Sequence, residues 1–202
     1  MKLPVNEFIH DLPEVLSAGK DSSPWLVPAG LENALLIMIT RLDSEYTVHG
    51  NVAVHSTAIV ESSAVLKGPL VIGPRCFIGA NAYLRGGVFL DSSVIIGPGS
   101  EVKSSIIMSE SHLAHFNFVG DSIIGHKVNF EAGAVICNHW NERKDKQIRF
   151  IYKGQAISTG VEKFGAIVAD GCKIGANAVL SPGTVLDKNS VIKRLALIEQ
   201  TI

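Results

Sequence analysis

Eleven residues spaced six apart are all aliphatic: Val48, Val54, Val60, Leu66, Ile72, Ile78, Leu84, Leu90, Ile96, Val102 and Met108. With about a third of positions drawn from such residues, an unbroken run of this length arises by chance on the order of once in 10^5. A period of six is neither the helix repeat nor the strand repeat. It fits a chain wound into triangular coils, with one inward aliphatic and one corner per hexad, so that three hexads close one turn of a parallel β-helix. The fifth hexad position is small or branched at Ala58, Ala64, Cys76, Ala82 and Val94, and Gly follows the aliphatic at Gly73, Gly79, Gly97, Gly125 and Gly175, where a tight turn excludes larger side chains. The class is therefore mainly β.

The composition agrees with such a core. Hydrophobic residues make up 47% of the 202 residues and aromatics only 6%. A net charge of −1 with 18% charged residues suggests neither a nucleic-acid partner nor an acidic membrane surface. Cys76, Cys137 and Cys172 are odd in number and widely spaced, which argues against a disulfide framework, and Cys76 and Cys172 fall at core positions. No signal peptide is evident and the longest apolar run, Ala34 to Ile39, is too short to span a bilayer, so a cytoplasmic location is expected.

The ladder divides the chain. Residues 1–46 lack it and are expected to form an N-terminal helical cap or arm, with short helices over Asn6–Leu16 and Leu31–Leu42 separated by the Ser-Ser-Pro-Trp stretch at 22–25. Residues 47–195 are expected to form the β-helix. Its register breaks twice: a four-residue slip is read within Ser109–Asn117, and a long charged loop over about 139–163 leaves the coil before the pattern resumes at Val168. In a repetitive scaffold such departures are where function is usually housed. His112 and His115 lie in the first break, where a histidine can be a base, a metal ligand or plain surface. Their spacing with His126 and His139 does not reproduce the three-histidine zinc set of the β-helix carbonic anhydrases, and no metal is expected.

The block from His115 to Asn138, His-Phe-Asn-Phe-Val-Gly-Asp-Ser-Ile-Ile-Gly-His-Lys-Val-Asn-Phe-Glu-Ala-Gly-Ala-Val-Ile-Cys-Asn, resembles the acetyltransferase half of the bacterial bifunctional N-acetylglucosamine-1-phosphate uridyltransferase/glucosamine-1-phosphate acetyltransferases. The later block Glu162-Lys-Phe-Gly-Ala-Ile-Val-Ala-Asp-Gly-Cys-Lys-Ile-Gly-Ala-Asn-Ala-Val-Leu-Ser-Pro-Gly-Thr is similar to the archaeal-type sugar-phosphate nucleotidyltransferase/acetyltransferases. The resemblance covers about residues 48–192 and implies a left-handed hexapeptide-repeat β-helix, a homotrimer with sites between chains, and acetyl-CoA as co-substrate. It places His115 as general base. The family's substrate-binding residues fall on Arg85, Lys103, Asn129, Asn138 and Lys144 without a gap, and Phe118 stands where the family has tyrosine. Cofactor contacts are implied at Ala132, Gly165 and Pro182. The family's C-terminal tail is short here, and Lys193 and Arg194 are candidates to replace its charge. No Gly-rich nucleotide loop precedes the coil, so uridylyl transfer is not expected, and a separate nucleotidyltransferase is a possible partner.

The implied chemistry suits these residue types. An amino sugar is mostly protonated near neutral pH, so a base must take a proton as the nitrogen attacks a thioester, and histidine titrates closest to that task. Arg85 and Lys103 lie one full coil apart and should stack as adjacent rungs about 5 Å apart, suited to a phosphate dianion. Cys137 could carry an acyl group as a thiolate, whereas the resemblance implies direct transfer. The expected activity is N-acetylation of glucosamine-1-phosphate or galactosamine-1-phosphate. Phe118 and His139 leave open another amino sugar or nucleotide sugar, and Arg85 and Lys103 would equally serve a non-catalytic sugar-phosphate or nucleotide-sugar binding module.

Overall fold

The computed structural model describes residues 3–16 and 23–201. From Val52 to Ile198 the chain winds through about eight coils of a parallel β-helix, each laying a short strand on three faces in turn. The third face is a seven-stranded ladder from Ile59–Val60 to Val191–Ile192. The first and second faces join into one sheet because Tyr83–Leu90 and Glu101–Ile107 run on through their shared corner. Ile72, Ile78, Leu84, Leu90, Ile96 and Val102 are fully buried in one core cluster. Equal aliphatics stacked on rungs about 4.8 Å apart fill this interior without aromatic bulk. Cys76 and Cys172 lie in the same cluster, and burial pushes the Cys76 thiol up to about 11.

Corner glycines answer to space. A Cβ on Gly79 would lie 2.8 Å from the Pro98 nitrogen, and one on Gly97 would run into the Ala114 carbonyl. Backbone cannot swing aside as a side chain can. Gly97→Ala is expected to destabilise the fold by about 3 kcal/mol or more, lowering Tm by roughly 6–12 °C in a chain of this size. A thermal melt unchanged within about 2 °C would show that the corner relaxes instead.

Both ends of the eleven-residue ladder differ from the sequence expectation. Val48 is outside the coil: Tyr46–His49 pairs antiparallel with Val52–His55, leaving Val48 43% exposed. At the other end Ile107 points inward and Met108 packs outside, in a second apolar cluster. The register break is not one four-residue slip within Ser109–Asn117. The corner between the first and second faces is one residue short at Ser104 and again at Asp121, so the inward positions run Val102, Ile107, Leu113, Val119, Ile124, Phe130 and Ile136. The strand pairing is irregular between Arg85 and Val88, where Gly86-Gly87 oppose Ser104 alone, and Ser104 and Asp121 each adopt a φ of 47°. Serine hydroxyls take over the backbone bonds that the short corners lose. Ser105 Oγ donates to the Lys103 carbonyl (2.7 Å) and accepts from the Ser122 amide (3.0 Å). One rung on, Ser122 Oγ donates to the Gly120 carbonyl (2.7 Å) and accepts from the Ala166 amide (3.0 Å).

The outer row of the second face is apolar too: Ala53, Val71, Phe89, Ile106, Ile123, Ile167 and Val185 are all buried. The N-terminal segment covers it. The only α-helix among the described residues spans Val27–Ile39, starting and ending earlier than the expected Leu31–Leu42. Pro28 in its first turn is tolerated because that amide has no helical acceptor. The expected helix over Asn6–Leu16 is absent: two 3₁₀ turns, Val5–Glu7 and Glu14–Leu16, flank Asp11 (φ 49°) and Pro13, which break a continuous helix. Ser22 of the Ser-Ser-Pro-Trp stretch lies outside the described residues; Pro24 and Trp25 are buried. Asp170 ties the segment down, accepting from the amides of His10 (3.1 Å) and His126 (2.9 Å) and pairing with Lys188 (3.1 Å).

The excursion at 139–163 leaves from the same short corner, but it is not an open charged loop. Arg149–Tyr152 and Gln155–Ser158 form a hairpin turned by Lys153 (φ 48°) and Gly154 (φ 74°). Phe150 is fully buried, its ring 6.0 Å from that of Trp25, and the Phe164 amide closes the loop by donating to the Asn138 carbonyl (3.0 Å). Among the described residues no helix is long and apolar enough to cross a membrane.

Candidate active site

The first face carries most of the sequence-selected residues, along its two edges. At the edge meeting the second face, strand register places Arg85 directly beside Lys103, as the one-coil spacing predicts. Lys103 pairs in turn with Gly120, over which the Phe118 ring lies: a Cβ on Gly120 would meet that ring and the Asn138 amide nitrogen, each at 2.9 Å. Four residues, Arg85, Lys103, Phe118 and Asn138, therefore share one edge.

The two cations are not free. Arg85 donates to Glu101, Nη2 to Oε1 at 2.7 Å, with both side chains about a third exposed. Lys103 Nζ pairs with Asp121 Oδ2 at 2.8 Å, and their side chains are only 17% and 10% exposed. Asn138 Nδ2 donates to the same Asp121 oxygen, and the backbone reinforces the cluster through Asp121 N–H to Lys103 O (2.8 Å) and Gly165 N–H to Asp121 O (2.9 Å). A largely buried ion pair whose shared carboxylate oxygen also accepts from Asn138 holds a fixed geometry and presents little net charge. Sequence reasoning missed Asp121 and Glu101. The signal for Asp121 was present, since it follows Lys103 by the same eighteen residues that separate Lys103 from Arg85.

At the opposite edge, where the third face meets the first, His115 is exposed and its imidazole has no partner among the described residues. The next rung at this corner is Ala132: the Gly133 amide donates to the His115 carbonyl (2.9 Å), while the Ala132 amide has no backbone acceptor among the described residues. An unpartnered ring and an unpartnered N–H thus lie one rung apart. The corner is built by Asn117, whose buried Nδ2 donates to the carbonyls of Glu131 (2.8 Å) and Ala134 (3.1 Å). Phe116, beside His115, is 72% exposed over Gly99.

The remaining residues are dispersed. Asn129 points outward on the third face, between His112 and Lys173. Lys144 is exposed on the excursion. Gly165 is buried, its N–H given to Asp121 and its C=O accepting from Gly183 (2.8 Å), and Pro182 is buried beside it where the hairpin packs, so neither offers a polar group outward. Lys193 and Arg194 border a groove of about 500 Å³ with Lys173 and Asn129, and Arg194 is held there by a two-pronged bond to Glu131 (2.7 and 2.6 Å). That bond keeps the Glu131 carboxyl below its usual range. Burial raises the Cys137 thiol, which disfavours the thiolate a nucleophile needs.

Residues 48–140 match the family described as the GMPPB C-terminal domain, and residues 165–193 match the hexapeptide repeat of succinyl-transferase. The bifunctional protein GlmU of Methanococcus vannielii is 34% identical over 113 residues, covering 56% of this chain and 27% of the relative. The bifunctional sugar-1-phosphate nucleotidylyltransferase/acetyltransferase of Sulfurisphaera tokodaii is 40% identical over 88 residues, covering 44% of this chain and 21% of the relative. The chain thus aligns with about a quarter of the length of these curated relatives. Among solved structures, a hexapeptide transferase family protein from Anaplasma phagocytophilum shares the fold, with a TM-score of 0.52 at 17% identity over 69% of this chain and 72% of the other.

Proposed function

We propose that this chain, a hexapeptide-repeat β-helix protein related to the acetyltransferase domains of the GlmU proteins, is an acyltransferase that moves an acetyl group from acetyl-CoA to the amine of an amino-sugar 1-phosphate. The observation that carries this reading is the unpartnered His115 imidazole one rung from the unpartnered Ala132 amide. The amine attacks the thioester carbonyl while His115 takes its proton, and the oxyanion forms against the Ala132 N–H. Collapse expels CoA thiolate, which is reprotonated, and the acetamide remains. No acyl-enzyme is needed, in keeping with the raised Cys137 thiol. Residues 47–195 supply this chemistry, and the described part of residues 1–46 acts as an arm that sheathes the coil.

His115 and Lys103 stand at opposite edges of one face, up to about 16 Å apart along the strand between them. A second copy brings its own edge alongside and completes the site. The second face is already covered, while Phe116, Val191 and Leu197, at 72%, 69% and 62% exposure, lie on the first and third faces and their shared corner. A cyclic trimer through those two faces satisfies both needs. Thiol release from acetyl-CoA, measured with glucosamine-1-phosphate and galactosamine-1-phosphate, is expected to be amine-dependent and saturable with at least one of them.

A second reading stands beside this one. Arg85 and Lys103 stand on adjacent rungs independently of His115, an arrangement that would also serve a non-catalytic binding module for sugar phosphates or nucleotide sugars. Ligand binding without CoA-dependent turnover would select it.

A further inference from the structure

The arm that covers the second face also reaches the edge where Arg85 and Lys103 stand. In the Val27–Ile39 helix, Leu31 and Leu35 are buried in one cluster with Val71, Phe89 and Ile106, which sets the roll of the helix on the face. Glu32 follows Leu31 by about 100° round the axis, so it lies on a flank of the helix. That flank meets the Gly86-Gly87 corner. A Cβ on Gly87 (φ 85°) would lie 3.1 Å from Glu32 Cγ and 3.3 Å from the Glu32 amide nitrogen, so this glycine lets the helix backbone settle on the corner. A Cβ on Gly86 would lie 3.9 Å from Glu32 Oε1, 3.7 Å from Lys103 Cγ and 3.0 Å from Ser104 Oγ. The three side chains therefore gather about one point. Glu32 is exposed, and among the described residues neither its carboxylate nor the Ser104 hydroxyl has a hydrogen-bond or ion-pair partner. Lys103 does not neutralise Glu32, because its Nζ is held by Asp121 at 2.8 Å.

We propose that Glu32 and Ser104 form a subsite that reads the ring hydroxyls of the acceptor sugar, so that the arm supplies a specificity-determining residue to a site on the coil. This deepens the acetyl-transfer reading and rests on it for the presence of an amino-sugar phosphate. The groups on such an acceptor sort themselves by charge. A phosphoryl group is repelled by a carboxylate, and the amine is engaged by His115. The ring hydroxyls remain. Each is an O–H donor, and a carboxylate accepts it through a charge-assisted bond stronger than a neutral one. The Ser104 hydroxyl can donate or accept beside it. Glu32 lies outside the 48–140 segment that matches the family, so comparison over that segment does not select it.

The test separates hydroxyl reading from bulk charge by the sign of the effect. Glucosamine-1-phosphate, galactosamine-1-phosphate and inorganic phosphate are titrated calorimetrically into the full chain, for wild type, Glu32→Gln, Ser104→Gly and Glu7→Gln. Glu7 is an exposed control on the arm, and its neighbour Phe8 is fixed by Asp170 at the far corner of the second face. A carboxylate acting only through its charge opposes every anion, so its removal would tighten all three ligands. Hydroxyl reading gives a split instead. Glu32→Gln is expected to weaken the tighter-bound amino-sugar phosphate roughly tenfold, the loss of one charge-assisted bond, and to leave inorganic phosphate no weaker. Ser104→Gly, which suits a φ of 47°, is expected to weaken the same ligand about threefold. Glu7→Gln should bind as wild type does. In turnover the Glu32→Gln loss should appear in KM for the sugar with kcat kept, and its Tm should be that of wild type because Glu32 is exposed. Sugar-phosphate affinity that is unchanged or tighter in Glu32→Gln or Ser104→Gly, or weakened alike in Glu7→Gln, overturns the proposal. So does a wild type that binds neither amino-sugar phosphate. The split without CoA-dependent thiol release would sink the acetyl-transfer reading and leave the subsite standing, and thiol release without the split would do the reverse.

Discussion

His115→Ala is expected to lower kcat/KM for the amino-sugar phosphate by about 10^2- to 10^4-fold, the range of a positioned general base. The loss should fall on kcat, because the imidazole acts on a proton that moves only as the amine attacks. Stability should not change: the ring is exposed and bonded to nothing among the described residues, so its removal leaves no cavity and no orphaned partner. The two readouts separate this role from a structural one. Equal turnover by His115→Ala and wild type would remove the base assignment.

Asp121→Ala should have the largest effect on stability among single polar substitutions in this chain. It strands the Lys103 ammonium in a site where that side chain is 17% exposed, and it removes the acceptor of Asn138. Breaking a buried pair by deleting one partner costs about 3–5 kcal/mol, and the lower end applies because Lys103 keeps some solvent. At about 3 kcal/mol a chain of this size loses roughly 6–12 °C of Tm. Replacing both members, Lys103→Met with Asp121→Leu, should recover much of the loss, since no unpaired charge remains. A single variant that melts with the wild type would mean that the pair is no more than a surface contact.

The fold was legible because one residue type recurs at one spacing, and the places where the ladder misleads share a physical cause. Ile106, Ile107 and Met108 are all aliphatic because the second face is apolar on both sides. Periodicity cannot tell the inward residue from its outward neighbours when both are buried. In the same way Phe118, six residues before the inward Ile124, masks the inward Val119. A one-residue contraction at Ser104, with another at Asp121, then reads as one later slip. In the excursion, the charges of Glu142 to Lys146 mask Lys153-Gly154, a two-residue hairpin turn flanked by Phe150, Tyr152 and Ile157. That turn was readable. As for the site, the stacking of Arg85 on Lys103 follows from coil length alone, whereas their carboxylate partners do not, because ion pairing depends on side-chain direction at an irregular corner. The separation of His115 from Lys103 across a face needed the corners to be counted correctly.

The sheath on the second face has a consequence for the order in which the molecule is assembled. Phe8 and His10 are bound by His126, Tyr152 and Asp170, and the contact from His10 to Asp170 spans 160 residues. On a ribosome these early residues emerge long before any of their partners exist. The coil can add rung upon rung as it is made, each new strand templated by the last. Its opening segment must wait, with Leu3, Phe8 and Ile9 unburied, until nearly the whole coil has been synthesised. Residues 3–10 are thus made well before the rungs that fix them, and are among the last of this stretch to find their place.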